Sequence, residues 1–440
     1  MNVLRYGLTP KMKPIAPRRS AIVAALDVGS SKVACLIARL RPHPPQQVLT
    51  RRSHAVEVVG FGHTGARGTK AGAVVNLAQA EDAIRNAVDS AERMASVEIE
   101  SVVLSISAGR LSSDLFAAEV DIAGSAVTEG DIGRVLAAGS RQSLREGRAV
   151  LHSLPVAYSI DGGNGIRDPR GMLGARFGVE MHVATADIAT VRNLILAVER
   201  CHLGVEAMVA SPYVSGLSVL ADDEGDLGAA IIDMGAGTTS LAVFLGGRFV
   251  HADGFALGGH NVTMDIARGL NTGLADAERI KTLYGSLLVG GSDERDMITV
   301  PPMSAEEREQ AQFVSRATLV HIIKPRVEEI LEMVRDRLTA SPFAGEPRAR
   351  VILTGGASQL NGLADLAARM LGRPVRIGRP LGIAGLPDAA KGAAFAAAAG
   401  LLVYPQAAHL EHFDAGPGRY LKSGTGGYFA RVGRWLRESF

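Results

Sequence analysis

The sequence has few aromatic residues, few cysteines and almost no net charge. Aromatic side chains make up 5% of the 440 residues, one residue is tryptophan, and 47 basic residues balance 45 acidic ones to a formal net charge of +2. This balance gives no long-range attraction for a polyanion, and no basic patch interleaved with aromatic residues occurs inside the chain. We therefore expect no nucleic-acid partner.

The two cysteines and the short apolar runs indicate a cytosolic protein. Cys35 and Cys201 lie far apart in apolar stretches and fit neither a metal site nor a CxxC motif, so we expect buried thiols. No stretch approaches the roughly 20 apolar residues of a membrane span, since the alanine-rich run at 393–403 is too short. Residues 1–20 are basic, without an acid or a signal-peptide run, and indicate a disordered arm.

Hydrophobic spacing predicts a mixture of helices and strands. Helical periodicity occurs at 79–95 and at 317–338, and Pro325 is expected to kink the second helix or to divide it. Thr128 followed by Asp131 is typical of a capping box at the start of another helix.

One short pattern occurs twice in the chain. Residues 21–40 (AIVAALDVGSSKVACLIARL) and 229–245 (AAIIDMGAGTTSLAVFL) each contain an apolar strand, an aspartate, a turn of small residues and a second apolar strand. This order is typical of a β-hairpin. The two copies predict two homologous halves, each beginning with the same hairpin.

Such a turn can bind a polyphosphate, because its exposed backbone N–H groups form an anion-binding nest and glycine permits close approach. One copy alone would indicate an ordinary β-turn, but two facing copies predict a nucleotide between them. Asp27 and Asp233 would hold a phosphate-bound Mg²⁺ through water, and Lys32 would neutralise β- or γ-phosphate charge. The predicted phosphate and magnesium residues are Asp27, Gly29, Ser30, Ser31, Lys32, Asp233, Gly235, Gly237, Thr238 and Thr239.

A third glycine-rich element completes a pattern shared with a superfamily. LTGGAS, at 353–358, follows an apolar strand and precedes a helix. The order of two aspartate-bearing turns and a Gly-Gly turn resembles the actin-like ATPase fold of actin, Hsp70 chaperones and sugar kinases, whereas no P-loop motif occurs. The resemblance implies adenosine contacts from Glu278, Lys281, Gly355, Gly356 and Ser358. For the Glu–Lys pair, one helical turn apart, a solvated ion pair is the alternative.

Longer stretches narrow the resemblance to one family. IDGGNGIRDPRGMLGARFGVEMHVATA, VILTGGASQLNGLADLA and ATLVHIIKPRVEEI resemble the FtsA family of bacterial cell-division proteins, and the likeness runs over nearly the whole chain. The resemblance implies an α/β, actin-like (ribonuclease H-like) two-lobed ATPase fold with an FtsA-type inserted subdomain and a C-terminal amphipathic helix. It also implies a protein that binds ATP with Mg²⁺, polymerises into protofilaments and anchors the FtsZ ring.

The same resemblance divides the chain into subdomains. The expected order is a disordered basic arm (1–20), subdomain 1A (21–103 and 182–226), inserted subdomain 1C (104–181), subdomain 2A (227–270 and 346–404), subdomain 2B (271–345), a flexible linker (405–426) and a membrane-targeting helix (427–440).

The resemblance also implies partners and a place of action. In the family, the C-terminal tail of FtsZ docks on subdomain 2B, and Arg326 and Glu329 in KPRVEEI match its tail-binding helix. A plain surface ion pair is the alternative for these two residues. We expect further contacts with later division proteins, and a peripheral location on the cytoplasmic face of the bacterial inner membrane at the septum.

One departure from the superfamily concerns hydrolysis. Hydrolytic members often carry Glu before Pro ahead of the second hairpin, whereas this chain has Ser211 before Pro212. A seryl hydroxyl is a poor base near neutral pH, so we expect nucleotide binding with slow or absent hydrolysis. The alternatives are an actin-fold adaptor of a pilus or secretion assembly and, less favoured, an actin-fold kinase.

The last residues, GGYFARVGRWLRESF, form an amphipathic pattern. On a helix, apolar and aromatic side chains fall on one side and three arginines on the other, which is typical of a helix lying in an anionic membrane surface. Docking of this helix on the protein's own core is the alternative. The predicted lipid-binding residues are Tyr428, Phe429, Arg431, Val432, Arg434, Trp435, Leu436, Arg437 and Phe440.

Overall fold

A computed structural model describes residues 7–42, 49, 52–141, 146–288, 290, 294–303 and 312–412. The predicted membrane helix at 427–440, with all nine of its predicted lipid-binding residues, lies outside the described residues.

The described residues contain twenty strands, among them the two predicted hairpins β2–β3 and β13–β14. In chain order they are β1 (Gly7–Leu8), β2 (Ala21–Val28), β3 (Lys32–Pro42), β4 (His54–Gly65), β5 (Thr69–Lys70), β6 (Ala73–Val74), β7 (Ser101–Ile106), β8 (Ser112–Asp121), β9 (Arg148–Ile160), β10 (Gly163–Ile166), β11 (Arg176–Asp187), β12 (Gly204–Ala210), β13 (Ala229–Met234), β14 (Thr239–Leu245), β15 (Arg248–Phe255), β16 (Met297–Val300), β17 (Gln312–Ser315), β18 (Arg350–Thr354), β19 (Val375–Ile377) and β20 (Ile383–Ala384).

The helices lie between these strands. They are α1 (Leu77–Ala95), α2 (Glu129–Arg141), α3 (Ile188–Glu199), α4 (Ser211–Val219), α5 (Glu224–Leu227), α6 (Gly259–Gly269), α7 (Leu274–Tyr284), α8 (Arg316–Thr339), α9 (Leu363–Leu371) and α10 (Ala396–Ala407).

Two sheets of the same topology form the two lobes. The first has the strand order β12-β7-β2-β3-β4-β20, and the second has the order β15-β14-β13-β18-β19. In each lobe an antiparallel three-strand meander is followed by two strands parallel to its first strand. The repeated hairpin therefore marks two homologous halves, as the sequence predicted.

Local sequence signals account for several helix boundaries. The side chain of Asn76 accepts a hydrogen bond from the amide of Gln79 at the start of α1. Thr128 and Asp131 form the predicted capping box, since each side chain accepts a bond from the other residue's amide. Pro325 lies inside α8, which is one continuous helix, so the proline does not divide it.

The inserted subdomain is a separate sheet with one covering helix. Its order is β1-β9-β11-β8, with β10 paired to β9, and α2 packs on β8 and β11. An apolar cluster that includes Phe177, Met181 and Val135 forms its core. Because β7 extends to Ile106 within the first lobe's sheet, the insertion begins later than the predicted residue 104.

Two expectations about the chain ends were wrong. Residues 7–20 were predicted to be disordered, but β1 pairs with β9 and Thr9 is fully buried. The predicted linker from 405 begins too early, because α10 continues to Ala407 and a short 3-10 turn follows it. Gln406 is buried and accepts a hydrogen bond from the amide of His54 over 2.9 Å.

The segment before the chain end also differs from the predicted subdomains. Residues 346–404 were assigned to the second lobe, but β20 pairs with β4 and α10 packs on α4 and β2 of the first lobe.

Cys35 is fully buried as predicted, whereas Cys201 is only half-buried. Burial raises the pKa of Cys201 to about 11, so the thiol is protonated at neutral pH.

Candidate functional site

Two hairpin turns face each other across a cleft between the lobes. In the first turn, the amide of Gly29 donates to the carbonyl of Lys32 over 3.0 Å. In the second, the amide of Gly235 donates to the carbonyl of Thr238 over 2.8 Å. The two turns therefore close with the same backbone hydrogen bond, and residues of both turns line the cleft.

The tips of the two turns lie close together. A Cβ atom on Gly237 would lie 2.5 Å from the Ser30 Oγ and 2.9 Å from the Ala71 Cα. The amide of Gly72 donates to the Ser30 Oγ over 2.7 Å, and the Thr69 hydroxyl donates to the carbonyl of Gly29 over 2.8 Å. Glycine is therefore required at 237, and the segment around β5 and β6 supports the first turn.

Each turn is preceded by a carboxylate that accepts one seryl hydroxyl. The Ser105 Oγ donates to Asp27 over 2.5 Å, and the Ser215 Oγ donates to Asp233 over 2.6 Å. Burial, with a further contribution from the Asp27 charge, raises the pKa of Asp233 to about 6 despite the hydrogen bond from Ser215. A cation between the two carboxylates would offset this repulsion.

Lys32 lines the cleft together with the two carboxylates. Its ammonium group donates to the carbonyl of Ala394 and lies 4.3 Å from the centre of the Phe395 ring. Burial lowers the pKa of Lys32, and the charges of Asp27 and Asp233 oppose that effect. A phosphate oxygen could replace the carbonyl as the acceptor, because the amino group donates up to three hydrogen bonds.

The predicted adenosine pair is held by a third residue that the sequence analysis missed. The Lys281 Nζ donates to Glu278 over 2.7 Å, to the Thr263 Oγ1 over 2.8 Å and to the carbonyl of Gly259 over 3.0 Å. The Thr263 hydroxyl also contacts the Glu278 carboxylate. Hydrogen bonds from Lys281 and Thr263 outweigh burial and hold the pKa of Glu278 below its ordinary value.

The Gly-Gly turn is packed directly against the second hairpin. Gly355 has φ +84, and a Cβ there would lie 2.4 Å from the Asp233 Oδ1. A side chain is excluded both by this backbone conformation and by the neighbouring carboxylate. Gly355 and Gly356 therefore bring bare backbone to the edge of the cleft.

The cleft has a volume of about 1300 Å³ and gathers most of the predicted residues. The predicted phosphate and magnesium residues that line it are Asp27, Gly29, Ser30, Ser31, Lys32, Asp233, Gly235, Gly237 and Thr238. The predicted adenosine residues that line it are Glu278, Lys281, Gly355 and Gly356. This volume is larger than most small-molecule pockets, which hold roughly 300–1000 Å³.

Two predicted residues have side chains that point away from the cleft. The Thr239 hydroxyl is buried and donates to the carbonyl of Leu257 over 2.8 Å. The Ser358 hydroxyl is buried and donates to the carbonyl of Gly355 over 2.7 Å. Both hydroxyls stabilise the loops themselves, and Ser240 lines the cleft where Thr239 was expected.

The predicted partner-binding pair lies on the outer face of α8. Arg326 contacts Glu329 on the same helix, and its Nε donates to Asp265 of α6 over 2.6 Å. The Asp265 hydrogen bond raises the pKa of Arg326. Val327 and Ile330 of the same helix line the cleft. This part of α8 therefore carries both the predicted partner-binding pair and two cleft residues.

One helical segment of the described residues is largely apolar. Ala393–Leu410 is long and apolar enough to cross a membrane, but 78% of it is buried inside the protein, as in the core helix of a folded domain. Among the described residues, no group of three or more histidine, cysteine or acidic side chains is placed to hold a metal ion.

Two family models match the chain. "Cell division protein FtsA" matches residues 230–400, which contain the second hairpin and the Gly-Gly turn. "SHS2 domain inserted in FTSA" matches residues 108–185, which contain β8, β9, β10 and most of β11 from the sheet of the insertion.

Whole-chain relatives decide the family. Cell division protein FtsA of Agrobacterium fabrum is 52% identical over 436 residues, which cover 99% of this chain and 98% of that protein. This chain belongs to the FtsA family. FtsA of Escherichia coli K12 is 33% identical over 428 residues, covering 95% of this chain and 98% of the relative. The cell-division role that the FtsA resemblance implied is thereby confirmed.

Solved structures agree with the actin-like fold of the FtsA family. The type IV pilus biogenesis complex PilM-PilN has a TM-score of 0.60 at 18% identity, covering 87% of this chain and 98% of that one. MreB5 of Spiroplasma citri, solved with ADP bound, has a TM-score of 0.50 at 14% identity, covering 88% and 97%. At these identities the likeness concerns the fold alone.

Proposed function

We propose that this cell-division protein binds ATP with Mg²⁺ in the cleft and uses the nucleotide to assemble a membrane-tethered scaffold. The observation that carries the proposal is the pairing of two equivalent turns, each with a carboxylate at its base, around one cleft. Turn amides bind phosphate oxygens, glycine permits the approach, and carboxylates bind the hydration shell of Mg²⁺. A cleft of about 1300 Å³ has room for the whole nucleotide.

The cleft residues divide into a set that would contact the phosphates and Mg²⁺ and a set that would contact the adenosine. Lys32 would pair with β- or γ-phosphate oxygens, and Asp27 and Asp233 would hold Mg²⁺ through water. Glu278 and Lys281, which also line the cleft, would contact ribose and adenine. Bound nucleotide would thus touch both lobes and favour their closed arrangement.

Hydrolysis is expected to be slow. Ser211 lines the cleft at the start of α4, and its hydroxyl is a poor base near neutral pH. The nucleotide would therefore act mainly as a conformational ligand. Single-turnover measurement with radiolabelled ATP tests this: rapid release of phosphate by the purified protein would contradict it.

The partner proposal concerns the outer face of α8. We propose that Arg326 and Glu329 bind the C-terminal tail of FtsZ. Because Arg326 already pairs with Asp265 and Glu329, an acidic group of the tail must share or replace these bonds. Arg326→Ala should weaken binding of an FtsZ tail peptide at least about tenfold if one charge-assisted bond is lost. Arg335→Ala, at an exposed position of the same helix, serves as the matched control.

The membrane proposal concerns residues 427–440. A helix with Trp435 on its apolar face and three arginines opposite would lie in the interface of an anionic membrane. Each helix would bind weakly, and self-association would combine many of them on one protofilament. Trp435→Glu should release the protein from vesicles without affecting ATP binding, whereas Ser423→Glu adds the same charge outside the helix and should do neither.

One experiment tests the combined proposal. Purified protein with Mg·ATP is sedimented with vesicles containing phosphatidylglycerol, with and without FtsZ. The protein should pellet with the vesicles and carry FtsZ with it. Binding to lipid without recruitment of FtsZ would contradict the partner proposal, and failure to bind ATP in a parallel titration would contradict the cleft assignment.

A further inference from the structure

The N-terminal segment, defined here as residues 7–13, is part of the inserted subdomain. β1 pairs in parallel with β9, so that Gly7 lies beside Ala149 and Leu8 beside Val150. Thr9 is fully buried, and its hydroxyl donates to the carbonyl of Val150 over 2.8 Å. The segment is therefore fixed by strand pairing and by a buried side chain, although its composition is basic.

Lys11 connects this segment to the other end of the described chain. Its ammonium group donates to the carbonyl of Leu151 and forms an ion pair with Glu411 at 2.9 Å. The side chains of Lys11 and Glu411 are 12% and 3% exposed. An ion pair this deeply buried is sensitive to the loss of one partner, because the remaining charge is left without compensation.

Within the described part of the chain, the other side-chain contacts of Glu411 come from the neutral groups of His152 and Tyr404. The backbone amide of Ala210 donates to the His152 Nε2 over 2.9 Å, so that nitrogen carries no proton. The His152 Nδ1 must then hold the hydrogen and donates to Glu411 over 2.8 Å. The Tyr404 hydroxyl adds a bond of 2.9 Å to the same carboxylate. Lys11 therefore supplies the formal positive charge that balances Glu411.

Glu411 and His412, which we call the tail root, lie against β9. The amide of His412 donates to the carbonyl of Ser153 over 2.9 Å, and the Ser140 Oγ donates to the carbonyl of His412 over 3.2 Å. Both bonds are made to the inserted subdomain, next to the carbonyl that Lys11 contacts. Residues 413–440 follow directly from this point.

We propose that Lys11 is a positioning residue: its buried charge holds the tail root against β9 of the inserted subdomain, where the described part of the chain ends. Without that charge, Glu411 would regain hydration by moving into water and would carry His412 away from Ser153. The contacts of Lys11 with Leu151 and Glu411 need no bound nucleotide, lipid or FtsZ. If residues 427–440 bind membrane, Lys11 also determines where on the protein that tether begins.

Hydrogen exchange of the full-length protein tests this proposal. In Lys11→Met, which keeps the length of the side chain but removes its charge, the peptide containing residues 411–412 should exchange at least about tenfold faster, because a buried pair has been broken. Peptides from β13 and from β11 should keep their exchange rates. Lys13→Met, which removes an exposed charge two residues away, should change none of them.

Two results would overturn the proposal. One is unchanged exchange at the tail root in Lys11→Met. The other is an equal increase in every peptide, which would give Lys11 a general role in stability and no role in positioning.

A second measurement uses the wild-type fold in case Lys11→Met does not fold. Acetylation of lysine amines, followed by mass spectrometry, should label Lys11 far more slowly than Lys13, because the Lys11 amine is buried and paired. Glu411→Gln should raise the labelling rate of Lys11 several-fold and leave that of Lys13 unchanged. Equal labelling of the two lysines in the wild-type protein, or no response to Glu411→Gln, would contradict the proposal.

Discussion

Replacing Asp233 by asparagine should stabilise the nucleotide-free protein. Burial raises the pKa of this carboxyl from its ordinary 3.8 to about 6. At about 1.4 kcal/mol for each tenfold change in protonation, keeping the group ionised at neutral pH destabilises the fold by about 3 kcal/mol. Asparagine removes the charge and can still accept the Ser215 hydrogen bond.

The pH dependence has a definite sign. The carboxyl has a higher pKa in the folded state than in the unfolded state, so its destabilising effect is complete above pH 6. The effect diminishes as the pH falls from 6 towards 3.8, because the folded state then takes up a proton that the unfolded state does not. Asp233→Asn should therefore gain about 3 kcal/mol at pH 7.5 and about half of that at pH 5.

Thermal unfolding without nucleotide measures this difference. At an unfolding entropy of about 2.1 cal/mol/K per residue, the gain for a chain of this length corresponds to a rise in Tm of about 3 °C at pH 7.5. Asp89→Asn, on the exposed face of α1, is the matched control and should shift Tm by less than about 1 °C. An Asp233→Asn protein that is no more stable than wild type at pH 7.5, or whose advantage grows in acid, would refute the reasoning.

Three further predictions concern the cleft and the core. Gly237→Val should abolish tight ATP binding in a fluorescence titration, because the new side chain would collide with Ser30 at the contact between the two turns; unchanged affinity would contradict this contact. Thr263→Val should weaken ATP binding, and Thr263→Ser should restore it, because only the hydroxyl contacts the Glu–Lys pair; equal loss in both variants would point to packing instead. Gly400→Ala should lower the unfolding free energy by about 2 kcal/mol in urea denaturation, because its Cβ would lie 1.8 Å from the carbonyl of Val214; wild-type stability would show that the two helices can separate at little cost.

Local sequence signals were sufficient for most of the secondary structure. The two hairpins, the capping box at Thr128 and the helix containing Pro325 depend on contacts between residues close together in the chain, so periodicity and turn composition reveal them. The repetition of one hairpin also predicted the two lobes. Family resemblance then supplied the inserted subdomain, which periodicity alone could not have located.

The direction of side chains within the loops could not be predicted from the sequence. Thr238 and Thr239 are identical neighbours in the sequence, but only Thr238 lines the cleft, because Thr239 begins β14 and its hydroxyl is used by the carbonyl of Leu257. The sequence also showed no sign of Thr263 in the cleft. Its hydroxyl reaches Lys281 only because α6 and α7 pack side by side.

The sequence by itself determined many of the strands and helices, the order of the two aspartate-bearing turns and the Gly-Gly turn, and the membership of the FtsA family. Only the tertiary structure decided how the chain ends are arranged. The basic composition of residues 7–13 is typical of a disordered arm, and the sequence does not show which acidic residue pairs with its charge. Glu411 is that partner, and since 400 residues separate it from Lys11, no local pattern could have revealed that the two would share one buried site on the inserted subdomain.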